Sequence, residues 1–349
     1  MKKYNLFFLM ALSVSFSVAF IKLHVMWKKE YKILPRRPEL VNVKTKVLEY
    51  DHYSEIHILN RYGIFGMKNK INNADILLIG TSHMEFGISA EELGAILTKK
   101  YKKLINVLNL GMGGGESTDF AKKILSDKEI NNKVLIVDLH DPLGDNWSYF
   151  AKSTNDLGKI QAYIKLFNIW FEYYRDWLLD PIVPKFRPFL EIKNISSWND
   201  IKNKVFAFRR ALGWLIVRER SNGDVVLYFG PNTGNCFEST KPNPISPLTR
   251  HLDGENQGVR VNAQLEAYLL ARSNKIVTTL VPFSGYGLVK IPEEANNFVY
   301  LSSENLFTFD KSHLEKASRN LNAQRIAEQI IQKNILGCCS KKRTKNGDK

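Results

Sequence analysis

The chain has 349 residues, 44% of them hydrophobic, and a formal charge of +15 from 50 Lys and Arg against 35 Asp and Glu. That length and apolar content carry one substantial α/β core or two smaller domains, and they exclude general disorder. Cys236 and the adjacent Cys338 and Cys339 cannot build a disulfide framework, and no Cys or His spacing suited to a metal is present, so neither a metal nor another cofactor is expected.

Charge of this sign admits an acidic partner, such as an anionic envelope polymer or lipid. The lysines are scattered, however, without zinc-finger spacing or regular Arg/aromatic interleaving, so nucleic acid is not the expected partner. The densest basic cluster, residues 336–349 with "SKKRTKNGDK", reads as a solvated tail.

At the amino end, Lys2 and Lys3 precede a mostly apolar stretch from Tyr4 to Trp27, broken by Lys22 and His24 and followed by Lys28 and Lys29. The uninterrupted part, Leu6 to Ile21, is sixteen residues, short of the ~20 that a bilayer core requires. Lys22 can snorkel and Trp27 suits an interface. Residues 1–28 are therefore expected to form an uncleaved signal anchor, ahead of a cleaved signal peptide or a buried helix. The main domain is expected to lie across the membrane as an extracytoplasmic, single-pass protein.

Residues 29–70 read as a connector, where Pro35 and Pro38 prevent a continuous helix. Residues 71–335 read as one α/β domain. Its first strand is "ADILLIGTS", in which Ile76 to Ile79 are all apolar, as in a parallel strand covered on both faces. A helix is expected from Ser89, with an acidic first turn in "SAEELGAIL". Strands are expected again in "KLINVLNLG" and "NKVLIVDLH", with a helix from Glu116 to Leu125 between them. Three apolar runs about 30 residues apart, alternating with helix signals, predict a βαβ series.

The region from about 145 to 255 reads as an insertion. "IQAYIKLFNIWFEYYRDWLLD" is helical and aromatic, and "NKVFAFRRALGWLIVRE" is a second amphipathic segment. "GDVVLYF" is a short strand leading into a long polar loop. The aromatic residues suit helix packing, an acceptor groove or a membrane-facing patch. The βα pattern then resumes with a helix in "NQGVRVNAQLEAYLLARSN", a strand in "KIVTTLVPFSGYG" and a final helix in "SHLEKASRNLNAQRIAEQIIQKN".

Polar residues at the carboxyl ends of parallel strands converge on one crevice. Here they are Ser82, the turn Gly111 to Gly115, the neighbourhood of His140, and Asp310 with His313. Together they contain a nucleophile, backbone donors, a base and an orienting carboxylate, the inventory for acyl transfer through serine. Each residue also has a structural reading: Ser82 as a helix cap, the glycines as a loop, His313 as a surface residue before a helix.

"IGTSHMEFGI", "NLGMGGG" and "FDKSHL" together resemble the SGNH/GDSL hydrolase superfamily, especially its membrane-associated branches that act on O-acyl groups of envelope polysaccharides and teichoic acids. The resemblance covers residues 76–146 and 259–330. It implies a three-layer α/β sandwich around a mostly parallel sheet, which with the anchor includes an N-terminal transmembrane helix. It also implies Ser82 as nucleophile, His313 as general base and Asp310 as its orienting acid. The oxyanion donors would be the Ser82 N–H and one in the turn, best matched by Gly111. Thr81 stands where an acid is common, and "VDLHDPLGDN" lacks a clean GxND, so Thr81, His83, Gly113, His140, Asp141 and Asn146 are expected as site lining without assigned roles. The expected activity is O-acyl, chiefly O-acetyl, transfer or hydrolysis on a cell-envelope polysaccharide. An acyl donor or acylated glycan would be the partner, with a membrane-bound acyl-transfer protein as a further candidate. The alternative is a catalytically inactive glycan-binding or assembly protein on the same fold.

Overall fold

The structure is a computed structural model, and the residues it describes are 17, 47–50, 53–63, 66–112, 124–126, 128–138, 160–165, 215–219, 221–229, 243–245, 263–282, 297–310 and 313–337. Its centre is a five-stranded sheet of β2 (Ile76–Ile79), β3 (Val107–Asn109), β4 (Val134–Asp138), β8 (Lys275–Thr279) and β9 (Phe298–Val299), in the order β3-β2-β4-β8-β9. Every pairing in it is parallel. All residues of β2, β3 and β4 are buried, which explains why these strands read as unbroken apolar runs instead of alternating ones.

Alternate residues Ile76, Leu78, Val134, Ile136 and Val277 share a core cluster with α4 (Ala90–Tyr101) and α6 (Lys316–Gln332). The intervening Leu77, Ile79, Leu135 and Val137 point to the other face and are equally buried. Helix α6 contributes Ala323, Ile326, Ala327 and Ile330, a spacing of three and four that places one apolar stripe on the sheet. Each buried isoleucine there contributes about 1.5–3 kcal/mol. Ser89 caps α4 as its position predicts, its hydroxyl accepting from the Glu92 N–H.

Outside the central sheet the structure departs from expectation. Residues 29–70, read as a connector, hold β1 (Val47–Tyr50), α1 (Tyr53–Tyr62) and the start of α2 (Met67–Asn73), with Ile58 and Leu59 fully buried. The segment "LIVRE", read as the end of a second amphipathic segment, is strand β5 (Leu215–Glu219). It pairs antiparallel with β1 and with β6 (Val225–Phe229) in a separate sheet of order β1-β5-β6. β5 and β6 form a hairpin whose turn holds Gly223 at φ +76, a conformation open to glycine. Two short strands, β7 (Asn243–Pro244) and β10 (Phe307–Thr308), pair with each other. Helix α5 (Ala263–Leu270) precedes β8, in the order the sequence predicts. The helix expected from Glu116 to Leu125 lies mostly outside the described residues, as do the basic tail and most of the aromatic insertion.

The transmembrane helix expected over residues 1–28 is not retained, nor is the single-pass, extracytoplasmic placement that rested on it. No helix among the described residues is long and apolar enough to cross a membrane. Of the segment itself only Ser17, helical and exposed, is described. The physical weakness of that expectation is the short run: Leu6 to Ile21 extends about 24 Å as a helix, against a hydrocarbon core of about 30 Å.

Candidate active site

The chain leaves β2 toward β3 on one side, and then crosses to β4 on the other. Strand β2 is thus the point where the winding reverses, and in open α/β sheets it is beyond the carboxyl end of such a strand that ligands bind. Gly80, Thr81 and Ser82 occupy that end. Gly80 has no room for a side chain, since a Cβ would lie 2.8 Å from the Asp138 Cβ and 2.9 Å from the Met84 Cβ. Thr81 is the N-cap of α3 (Ser82–Gly87), and its hydroxyl accepts from the His83 N–H at 3.4 Å. Ser82 opens this short helix and is partly exposed, and no hydrogen bond holds its hydroxyl among the described residues.

Asp310 and His313 form a closed turn after β10. One carboxylate oxygen of Asp310 accepts from the His313 backbone N–H at 2.7 Å, and the other meets His313 Nδ1 at 2.6 Å. Backbone bonding between Phe309 N–H and the His313 carbonyl, at 3.1 Å, shuts the same turn. A spacing of three residues lets one carboxylate fix both the chain and the ring, leaving Nδ1 as donor and Nε2 as the basic nitrogen. His313 Nε2 is buried and has no hydrogen-bond partner among the described residues.

The imidazole packs on the helix that carries Ser82. Phe86 lies 5.0 Å from it between ring centroids, and His83 stacks on it at 5.7 Å and 27°. Phe309 stacks at 5.8 Å and 21°. Ser82 and Phe86 are four residues apart and His83 and Phe86 three, so all three lie on one face of α3. Ser82 therefore sits one turn along the face that holds His313. The pair is not hydrogen-bonded, because Nε2 has no partner among the described residues. Such contacts are often long before substrate binds.

Gly111 is placed differently from its expected role. Its N–H donates to Asn109 Oδ1 at 2.8 Å, so that amide is already engaged. Its lack of a side chain serves close packing instead, since a Cβ would lie 2.4 Å from the Glu85 nitrogen. Gly113, His140, Asp141 and Asn146 lie outside the described residues.

Four polar residues beneath the site were not singled out by the sequence reading. Glu85 and Arg218 form a fully buried ion pair at 2.5 Å. Arg218 also donates to the carbonyls of Gly111 and, at 3.4 Å, Asn109. The Asn109 amide donates to the carbonyls of Met84, Glu85 and Ile88, at 3.3, 3.4 and 3.3 Å. Asp138, the last residue of β4, is fully buried and accepts from the Val281 N–H at 3.3 Å. An acid inside "HMEFGI" and an asparagine closing "VLN" were visible signals of buried polar bonding, whereas Arg218 comes from a segment with no local cue to its partner.

A cleft of about 420 Å³ lined by Asn69, Lys70, Asn106 and Ser221 lies at the amino ends of β2 and β3, opposite this chemistry. No group of three or more His, Cys, Asp or Glu residues that could hold a metal occurs among the described residues. Compared with family models, curated proteins and solved structures, the chain matches none.

Proposed function

We propose that the protein carries out serine-dependent O-acyl transfer or hydrolysis, with an O-acylated, chiefly O-acetylated, cell-envelope polysaccharide as substrate class. The observation that supports this reading is the Asp310–His313 couple, whose imidazole packs on Phe86 and His83 of the helix that Ser82 opens and whose Nε2 is buried with no hydrogen-bond partner among the described residues. The substrate class rests on the likeness of "IGTSHMEFGI", "NLGMGGG" and "FDKSHL" to the SGNH/GDSL superfamily.

In this reading Ser82 Oγ attacks the acyl carbonyl while its proton passes to His313 Nε2. Asp310 holds Nδ1–H and favours the imidazolium formed. The Ser82 N–H meets the developing oxyanion, the kind of contribution worth about 3–4 kcal/mol per donor. Nε2 then returns the proton to the departing sugar oxygen as the ester C–O bond breaks. Water, or an acceptor hydroxyl, next loses its proton to Nε2 and takes the acyl group from Ser82, whose Oγ regains that proton from Nε2 as the acyl–Oγ bond breaks. The choice between those acceptors depends on exclusion of water.

The test is release of acetate from O-acetylated wall polysaccharide by wild type and by Ser82→Ala. A loss of at least ~10³-fold in the variant supports the reading, and equal release rejects it. One observation favours a second reading, a glycan-binding protein without catalysis: Ser82 and His313 are not hydrogen-bonded. That reading predicts no release by either protein and unchanged glycan binding after combined Ser82→Ala and His313→Ala substitution.

A further inference from the structure

The hairpin of β5 and β6 enters the chain far from the residues it touches, yet it is fastened to α3, to the segment from Asn109 to Gly111, and to helices α4 and α6. Arg218 in β5 binds Glu85 on α3 and the carbonyls of Asn109 and Gly111. Asp224, just before β6, accepts from Ser89 Oγ at 3.1 Å and from the N–H groups of Ala90 and Glu91 at 2.9 Å each, at the start of α4. Arg319 on α6 donates to the Val225 carbonyl at 2.7 Å. The hairpin turn also meets the end of β3, where the Asn109 N–H donates to the Asn222 carbonyl at 2.7 Å.

Burial sharpens the point. Arg218, Asp224 and Glu85 are 2%, 2% and 0% exposed. A buried ion pair adds little stability over well-packed apolar residues of the same volume, because desolvation offsets its attraction. What the guanidinium supplies that an apolar side chain cannot is direction: a planar fork fixes several acceptors relative to one another. Here those acceptors belong to the helix that begins with Ser82 and to the turn at Gly111. Helix α6, which follows His313, is tied to the same hairpin by Arg319 and to α3 by the bond from Asn322 to the Gly87 carbonyl at 3.2 Å.

We propose that the β5–β6 hairpin is a brace that holds the nucleophile segment and the base segment in register, and that Arg218 is its principal positioning residue. This rests on the serine reading above. Arg218 touches no reacting atom and acts through Glu85 and the Gly111 turn.

The test measures the rate at which a fluorophosphonate probe labels Ser82 in the full chain, with unfolding midpoint measured alongside. Glu85→Leu combined with Arg218→Met removes both charges and keeps the volume, so the fold is expected to persist. Labelling is expected to slow about 10–100-fold, the scale of a small misplacement. Arg218→Lys keeps a charge opposite Glu85 without the fork, and about 10-fold slower labelling is expected. Labelling of either folded variant at the wild-type rate overturns the brace. Wild type that reacts no faster than Ser82→Ala overturns the serine reading itself, and the positioning role with it.

Discussion

Gly111→Ala tests the contact between the turn and α3 without touching a charged group. An added Cβ would lie 2.4 Å from the Glu85 nitrogen and 2.9 Å from both the Glu85 Cα and the Met84 carbonyl carbon. Comfortable carbon contacts fall at about 3.5–4.0 Å, so turn and helix must part by about 1 Å. All three obstructing atoms are backbone and cannot rotate aside. Overpacking of this kind costs about 1–3 kcal/mol. The same displacement stretches the bonds from the Gly111 N–H to Asn109 and from Arg218 to the Gly111 carbonyl, each worth about 1 kcal/mol or more. A total of about 3–5 kcal/mol is expected, read as a lower urea midpoint at unchanged slope. Gly94→Ala is the control. Its Cβ would come no closer than 3.2 Å to the Ile105 carbonyl oxygen, and alanine's helix preference of up to about 1 kcal/mol offsets the squeeze. A Gly111→Ala protein as stable as wild type would refute the reasoning.

Asp310→Asn should leave the fold and KM largely intact while lowering kcat for acyl release about 10²–10⁴-fold, because the amide can hold the wrong tautomer of His313; steady-state kinetics on a chromogenic acetyl ester would show this. Burial raises the Glu315 carboxyl above its ordinary 4.5, so between the unfolded and folded values the native state retains a proton that the unfolded chain releases. Stability is therefore lost as pH rises through that window. Glu315→Gln should raise the urea midpoint at about pH 7 and leave it unchanged near about pH 3. Ile326→Ala, at a fully buried position on α6, should cost about 2–5 kcal/mol in urea unfolding.

The central sheet was legible because its strands are covered on both faces: "DILLI" and "KVLIVD" contain little that alternation could confuse. The capped start of α4 was legible for a related reason, since Ser89 and Glu92 lie within one turn and declare themselves locally. Strand β5 was not. Pairing of Val47 with Glu219 and of Tyr50 with Ile216 joins distant segments, and "GWLIVRE" continues an apolar pattern that fits a helix equally well. The amino-terminal anchor is not retained, because no helix among the described residues is long and apolar enough to cross a membrane. In the candidate site, the Asp310–His313 bonding follows directly from the spacing of those two residues. The engaged Gly111 amide was not legible, because it depends on the Asn109 side chain folding back two residues. The Glu85–Arg218 pair depends on two residues 133 positions apart in the chain, a separation at which neither signals the other.

The most direct measurement of the serine account is mass analysis of the full chain after brief exposure to an activated acetyl ester, quenched in acid. The account predicts an acetyl group on the peptide containing Ser82, accumulating in His313→Gln to a much smaller extent and absent from that peptide in Ser82→Ala. Acetate released at an undiminished rate by Ser82→Ala, with no acyl group ever found on the wild-type Ser82 peptide, would contradict it.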